Sequence, residues 1–253
     1  MRRILAALVA AVLLAALAAT GSSGAAPPGG AAAAATAAGS CVPPAGAVLP
    51  RPQWFKNHRM TVLVDSVLLS GEDALRRALP NWVIKKRGRP ALMVRVAANE
   101  LASVKRVNKL VVIGIAYNSL WERRRHRYGY WARRFDREAG RLMRSLRARG
   151  AEQLVWVTLR QPKPSTVPPG SVGELNQYSW YFPYTNERLD RLDARNDDLV
   201  LADWRKAGNR PGITYDTIHL NARGGRLMGK TIKDTIEDEA ERQACERAVK
   251  AAG

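Results

Sequence analysis

The sequence predicts an α/β fold built on a mainly parallel sheet with helices on both faces. Short apolar runs at residues 60–64, 110–115, 154–159 and 199–202 read as buried strands. Helical patterns separate them, most clearly over residues 129–149. There Trp131, Phe135, Ala139, Leu142, Met143 and Leu146 recur at helical spacing. Strands that are apolar throughout and alternate with helices are buried on both faces, as in a parallel sheet.

The folded part is expected to begin near residues 50–54, and the strand at 60–64 follows. Ser70-Gly71-Glu72-Asp73 supplies polar start signals for a helix through Leu79, which Pro80-Asn81 closes. Residues 82–84 read as a small edge strand, and the apolar segment 91–96 as a second full strand. Ala97-Ala98-Asn99-Glu100 begins a short helix, and the clearest strand, 110–115, ends at Ala116-Tyr117-Asn118-Ser119. Gly150 is a natural stop for the long helix. After the strand at 154–159 comes a loop over 160–183, with prolines at 162, 164, 168 and 169. Loops of that length in compact domains are usually functional. A helix over 184–195, the last strand and a closing helix over 222–244 complete the chain.

Residues 1–19 read as a secretory signal: Arg2 and Arg3 precede an apolar run from Ile4 to Ala19 that contains the small-x-small triplet Ala16-Leu17-Ala18. The run is short of the roughly 20 residues that span a bilayer. An uncleaved N-terminal anchor is the alternative, and the sole membrane contact expected. Residues 20–50 carry no charge and are rich in Ala, Gly, Pro and Ser, which marks a linker, so the domain is 51–253. Cys41 and Cys245 are the two cysteines, and in an exported chain such a pair suggests a disulfide joining the two ends; two unpaired thiols are the other reading.

The net charge is +19, of which Arg2 and Arg3 supply two. Such a surplus attracts polyanions. Export argues against nucleic acid and favours anionic envelope polymers or lipid headgroups, with a merely solubilising surface as the alternative. The run Glu122-Arg123-Arg124-Arg125-His126-Arg127 is either a solvated face or, beside a site, a preference for an anionic acceptor. No coiled-coil repeat is present, and a monomer is expected.

Chemistry concentrates in two stretches. Asp216-Thr217-Ile218-His219 sets a carboxylate three residues before an imidazole, and Asp65-Ser66 ends the strand at 60–64. A hydroxyl, a base to take its proton and an acid to orient the base make an activated nucleophile. With three histidines in the chain, His58, His126 and His219, general bases are few. Taken singly, Ser66 could cap a helix, Asp216 could form a turn and His219 could lie on the surface. Ligand sites of parallel sheets form at the carboxyl ends of the strands. Ser66, Asn118 and the loop after Leu159 all fall at such ends, and that convergence favours the catalytic reading.

Over about residues 58–240 these motifs resemble the SGNH (GDSL-type) hydrolase family. Its Gly-Asp-Ser block appears as Val64-Asp65-Ser66, its strand-Gly-x-Asn block loosely as Gly114-Ile115-Ala116-Tyr117-Asn118, and its Asp-x-x-His block as Asp216-Thr217-Ile218-His219, followed by Leu220-Asn221. Two departures stand out. Three residues rather than one separate Gly114 from Asn118, and the segment after the expected second strand, Ala97-Ala98-Asn99, has no glycine. The resemblance implies a flavodoxin-like three-layer α/β/α sandwich on a five-stranded sheet. It implies a Ser66 nucleophile, a His219 base, Asp216 to orient it, and oxyanion donors from the Ser66 amide, Asn118 and Ala98. Tyr117, Trp180 and Tyr181 are the expected substrate contacts, although the aromatic cluster at 178–182 reads equally as a core plug under its loop. No metal or organic cofactor is implied. The expected activity is that of an exported esterase or O-acyltransferase on an ester-bearing envelope glycan or lipid. The alternative is a catalytically weak or inactive SGNH-fold protein that binds anionic envelope polymer.

Overall fold

The computed structural model describes residues 41–43, 49–119, 127–175 and 179–252. The leader 1–19, most of the linker 20–50, residues 122–126 of the basic run and Tyr178 lie outside them.

Five parallel strands form one sheet: β1 (Arg59–Val64), β2 (Val83–Gly88), β3 (Leu110–Gly114), β4 (Gln153–Val157) and β5 (Leu199–Ala202). Their spatial order, β2-β1-β3-β4-β5, is the flavodoxin-like doubly wound arrangement. Every residue of β3 and β4 is buried, as the apolar runs required of central strands. The helices are α1 (Gln53–Lys56), α2 (Ser66–Leu69), α3 (Glu72–Ala78), α4 (Val94–Glu100), α5 (Tyr128–Arg147), α6 (Phe182–Asp193), α7 (Trp204–Ala207) and α8 (Ala222–Ala252). On α5, Phe135, Ala139, Leu142, Met143 and Leu146 are buried, the stripe that its spacing predicts.

One strand is not where the sequence suggested. Residues 91–96 are not β2; from Val94 onward they belong to α4. The second strand is 83–88, Val-Ile-Lys-Lys-Arg-Gly, whose residues are exposed or half-buried because β2 lies at the sheet edge. A short apolar run fits a buried helix segment as well as a strand. A basic edge strand carries little apolar signal at all. At its end Gly88 has φ +131°, and a Cβ there would lie 2.1 Å from the Val64 carbonyl oxygen, so the position requires glycine.

Cys41 and Cys245 form a disulfide with Cα atoms 6.0 Å apart, fastening the N-terminal end of the domain to α8. Among the described residues no helix is long and apolar enough to cross a membrane.

Candidate active site

The strand order reverses between β1 and β3, and ligand sites of open parallel sheets form beyond the carboxyl ends of the strands at such a switch point. Asp65 follows β1 there and caps α2, its side chain accepting the Val67 N–H at 3.0 Å. Ser66 thereby becomes the first residue of α2. A first-turn amide has no acceptor within its own helix, so the Ser66 N–H remains available.

The loop between Gly208 and Asn221 brings the other two groups. Asp216 Oδ1 accepts the N–H groups of Ile218 at 2.8 Å and His219 at 2.7 Å, a side-chain-closed turn that fixes the two residues relative to each other. The second oxygen, Oδ2, lies 2.7 Å from His219 Nδ1, and His219 Nε2 lies 2.9 Å from Ser66 Oγ. With the Nδ1 proton donated to the carboxylate, Nε2 presents a lone pair to the serine hydroxyl. Burial pushes the Asp216 carboxyl up, but hydrogen bonds from the His219 ring and from the His219 and Ile218 amides outweigh it, leaving it below 3.8. Tyr215 stacks on the imidazole, the ring planes 11° apart and the centroids 5.7 Å apart.

Several contacts seat this loop. Leu220 N–H donates to Ser70 Oγ at 2.9 Å, and Tyr215 N–H to the His219 carbonyl at 3.1 Å. Asn221 Oδ1 accepts the Arg223 and Gly224 amides, each at 3.0 Å, where α8 begins. A Cβ on Gly224 would lie 1.9 Å from the Ile213 carbonyl oxygen, so glycine is required for the helix to meet the loop this closely.

Beneath the loop lies Arg160, fully buried at 0% exposure just past β4. Its Nε donates to the Gly208 carbonyl at 2.8 Å. Nη1 donates to Thr214 Oγ1 at 3.2 Å and the Thr217 carbonyl at 2.9 Å; Nη2 donates to the Arg210 carbonyl at 3.2 Å and the Thr166 carbonyl. One guanidinium thus ties the loop of Asp216 and His219 to the segment after β4. Burial lowers its pKa below the usual guanidinium range, opposed by the nearby Tyr117 and Asp216. Sequence reasoning missed Arg160, because nothing in a sequence marks which of many arginines is buried.

Asn118 is half-buried just beyond β3, and its Nδ2 lies 3.5 Å from Asp65 Oδ2, at the limit of a hydrogen bond. Asp65 itself is completely buried. Desolvation raises its carboxyl to about 7, against hydrogen bonds from the Val67, Ala116 and Leu68 amides and the charge of His219.

Three expected site residues need correction. Ala98 does not end a strand; it lies buried inside α4, where its amide belongs to the helix ladder and is not free for an oxyanion. Tyr117 is 5% exposed, its hydroxyl accepting the Arg160 N–H at 2.8 Å, and Tyr181 is 1% exposed, its hydroxyl bonded to the Tyr117 carbonyl. Both tyrosines are therefore core members rather than substrate contacts, each packing edge-on against Phe182. Trp180 stays partly exposed, with its ring edge-on to Tyr181 at 5.4 Å. The expected lack of a glycine there followed from the misplaced strand: β2 ends on Gly88, in register with Val64 just before Asp65, and Arg89-Pro90-Ala91-Leu92-Met93 follows it.

Among the described residues no cluster of three or more His, Cys, Asp or Glu side chains could hold a metal. The five-stranded parallel sheet in this order, covered by helices, is the fold of the SGNH (GDSL-type) hydrolases. The catalytic domain of a peptidoglycan O-acetyltransferase from Streptococcus pneumoniae superposes with TM-score 0.52 at 18% identity, over 72% of this chain and 93% of that domain. A GDSL-like lipase from Bacteroides thetaiotaomicron gives 0.54 at 16% identity, over 75% and 92%. A carbohydrate acetylesterase from Sinorhizobium meliloti gives 0.52 at 15%, over 71% and 99%. No protein-family model and no curated protein matches the sequence.

Proposed function

We propose that the protein is a serine esterase or O-acyltransferase that acts on an acylated carbohydrate. The observation that carries this reading is the unbroken chain from Ser66 Oγ through the His219 ring to Asp216, with links of 2.9 and 2.7 Å. Ser66 Oγ attacks the ester carbonyl carbon while its proton passes to His219 Nε2. The carbonyl oxygen becomes an oxyanion, for which the Ser66 amide and the Asn118 side chain are the candidate donors. Collapse breaks the ester C–O bond, and the departing alkoxide takes the proton from His219. Water, or a hydroxyl of an acceptor sugar, then gives its proton to His219 and attacks the acyl-enzyme, which frees Ser66. Asp216 stays ionised throughout and holds the imidazole in the required tautomer.

The carbohydrate assignment draws on the O-acetyltransferase and acetylesterase among the structural neighbours. An extracytoplasmic site of action draws on the leader at 1–19, the uncharged linker at 20–50 and the Cys41–Cys245 bridge, since disulfides persist in oxidising compartments. The test is hydrolysis of p-nitrophenyl acetate and butyrate by the wild type, Ser66→Ala and His219→Ala. Turnover by the wild type that both variants lose is expected. Turnover unchanged in Ser66→Ala would refute the assignment.

A further inference from the structure

The edge strand β2 carries the basic stretch Lys85-Lys86-Arg87-Gly88-Arg89. Two of its cations are already matched: Lys86 to Glu72 of α3 at 2.7 Å, and Arg89 to Glu100 of α4 at 2.6 Å. Arg87 differs. Side chains alternate across a strand, so Arg87 points away from the face that Lys86 shares with α3. Its register partner is Leu63 of β1, whose side chain lies on the same face. Between this face and α4 lies a cavity of about 200 Å³, lined by Arg87, Leu63, Leu92, Leu101 and Val104, with the already paired Lys86 and Glu100 at its edge. The Arg87 Nε is buried yet has no hydrogen-bond partner among the described residues, and Arg87 enters none of their ion pairs. Buried donors are normally satisfied, so a buried guanidinium N–H on a residue that lines this cavity is missing its acceptor.

We propose that this cavity is a binding site for a monocarboxylate with a compact aliphatic tail. A guanidinium presents a planar fork that matches a carboxylate with two parallel hydrogen bonds. Only one unmatched cation faces the cavity among the described residues, which suits a single negative charge better than a phosphate dianion. The aliphatic walls reward an apolar tail, because pockets combine a hydrophobic lining with a few placed polar groups. The site lies on the α4 face, and its occupancy does not depend on ester chemistry at Ser66.

Calorimetric titration of the purified protein with sodium hexanoate tests the proposal, with hexylamine, hexanamide and inorganic phosphate as controls. Hexanoate should bind saturably at one site, and the three controls should not. Arg87→Met should weaken hexanoate at least tenfold while its melting temperature stays level or rises. Ser66→Ala should bind as the wild type does. If Arg87→Met fails to fold, Val104→Phe serves in its place, since it fills the cavity from its half-exposed rim and leaves the guanidinium intact; it too should lose binding. Absence of saturable hexanoate binding, equal binding by these variants, loss of binding in Ser66→Ala, or a preference for phosphate would overturn the proposal.

Discussion

The Leu220 amide donates to the Ser70 hydroxyl at 2.9 Å, and that hydroxyl donates to the Val67 carbonyl at 2.6 Å. The two bonds fasten the loop that carries His219 to the four-residue helix that begins at Ser66. Two segments 150 residues apart in sequence are thereby set at reacting distance.

Ser70→Ala removes that link without touching the Ser66–His219–Asp216 chain. We expect a stability loss of about 1–3 kcal/mol, because two hydrogen bonds are lost at about 0.5–1.5 kcal/mol each. The kcat for p-nitrophenyl acetate should fall by roughly tenfold with little change in KM, because small misplacements of reacting groups are costly. Steady-state kinetics and a thermal melt check both.

Arg160→Met leaves the acceptors around that guanidinium unpaired in the interior, at about 1–3 kcal/mol for each one left unsatisfied. The expected total is about 3 kcal/mol or more, read as a lower urea midpoint at unchanged slope. Arg160→Lys, which offers three donors in place of five, should fall between the wild type and Arg160→Met.

Asp65 gives a pH signature. Its folded carboxyl is raised to about 7, against 3.8 for the usual carboxyl. Between those values the folded chain keeps a proton that the unfolded chain has released, so stability falls as pH rises from about 4 to about 7. Asp65→Asn removes this term. The wild-type stability minus that of Asp65→Asn should therefore decrease across that window, by at most about 4 kcal/mol, in urea melts taken at several pH values. A difference that grows with pH would contradict the assignment.

The Cys41–Cys245 bridge closes a loop of 204 residues. Chain entropy sets an upper bound of about 5 kcal/mol on its contribution, and native bridges commonly give 2–5 kcal/mol. Cys41→Ser with Cys245→Ser should lower the urea midpoint accordingly and leave ester hydrolysis intact at low denaturant.

The sequence revealed the sheet and the Ser66–His219–Asp216 chain for different physical reasons. Central strands such as β3 and β4 are buried on both faces, so their residues could hardly be other than apolar. Asp216 and His219 were legible because one side chain must both close the turn and hold the ring, which ties their spacing to their chemistry. The small edge strand expected at 82–84 marks the start of β2, but its continuation was missed because Lys85, Lys86 and Arg87 look like a solvated loop, whereas residues 91–96 look like a strand. Tyr117 and Tyr181 were misjudged because an aromatic residue near a strand end has the same identity whether it faces substrate or core; burial alone distinguishes the two. Arg160 was invisible because its partners are mostly backbone carbonyls, which carry no sequence signature.

The most direct test of the catalytic reading is labelling of the native protein with a fluorophosphonate, followed by mass measurement of the intact chain and of its peptides. One phosphonyl group per chain, located on Ser66 and absent from Ser66→Ala and from the unfolded wild type, is the expected result. Failure of the folded wild type to label, or a label on any other residue, would contradict the assignment of Ser66 as an activated nucleophile.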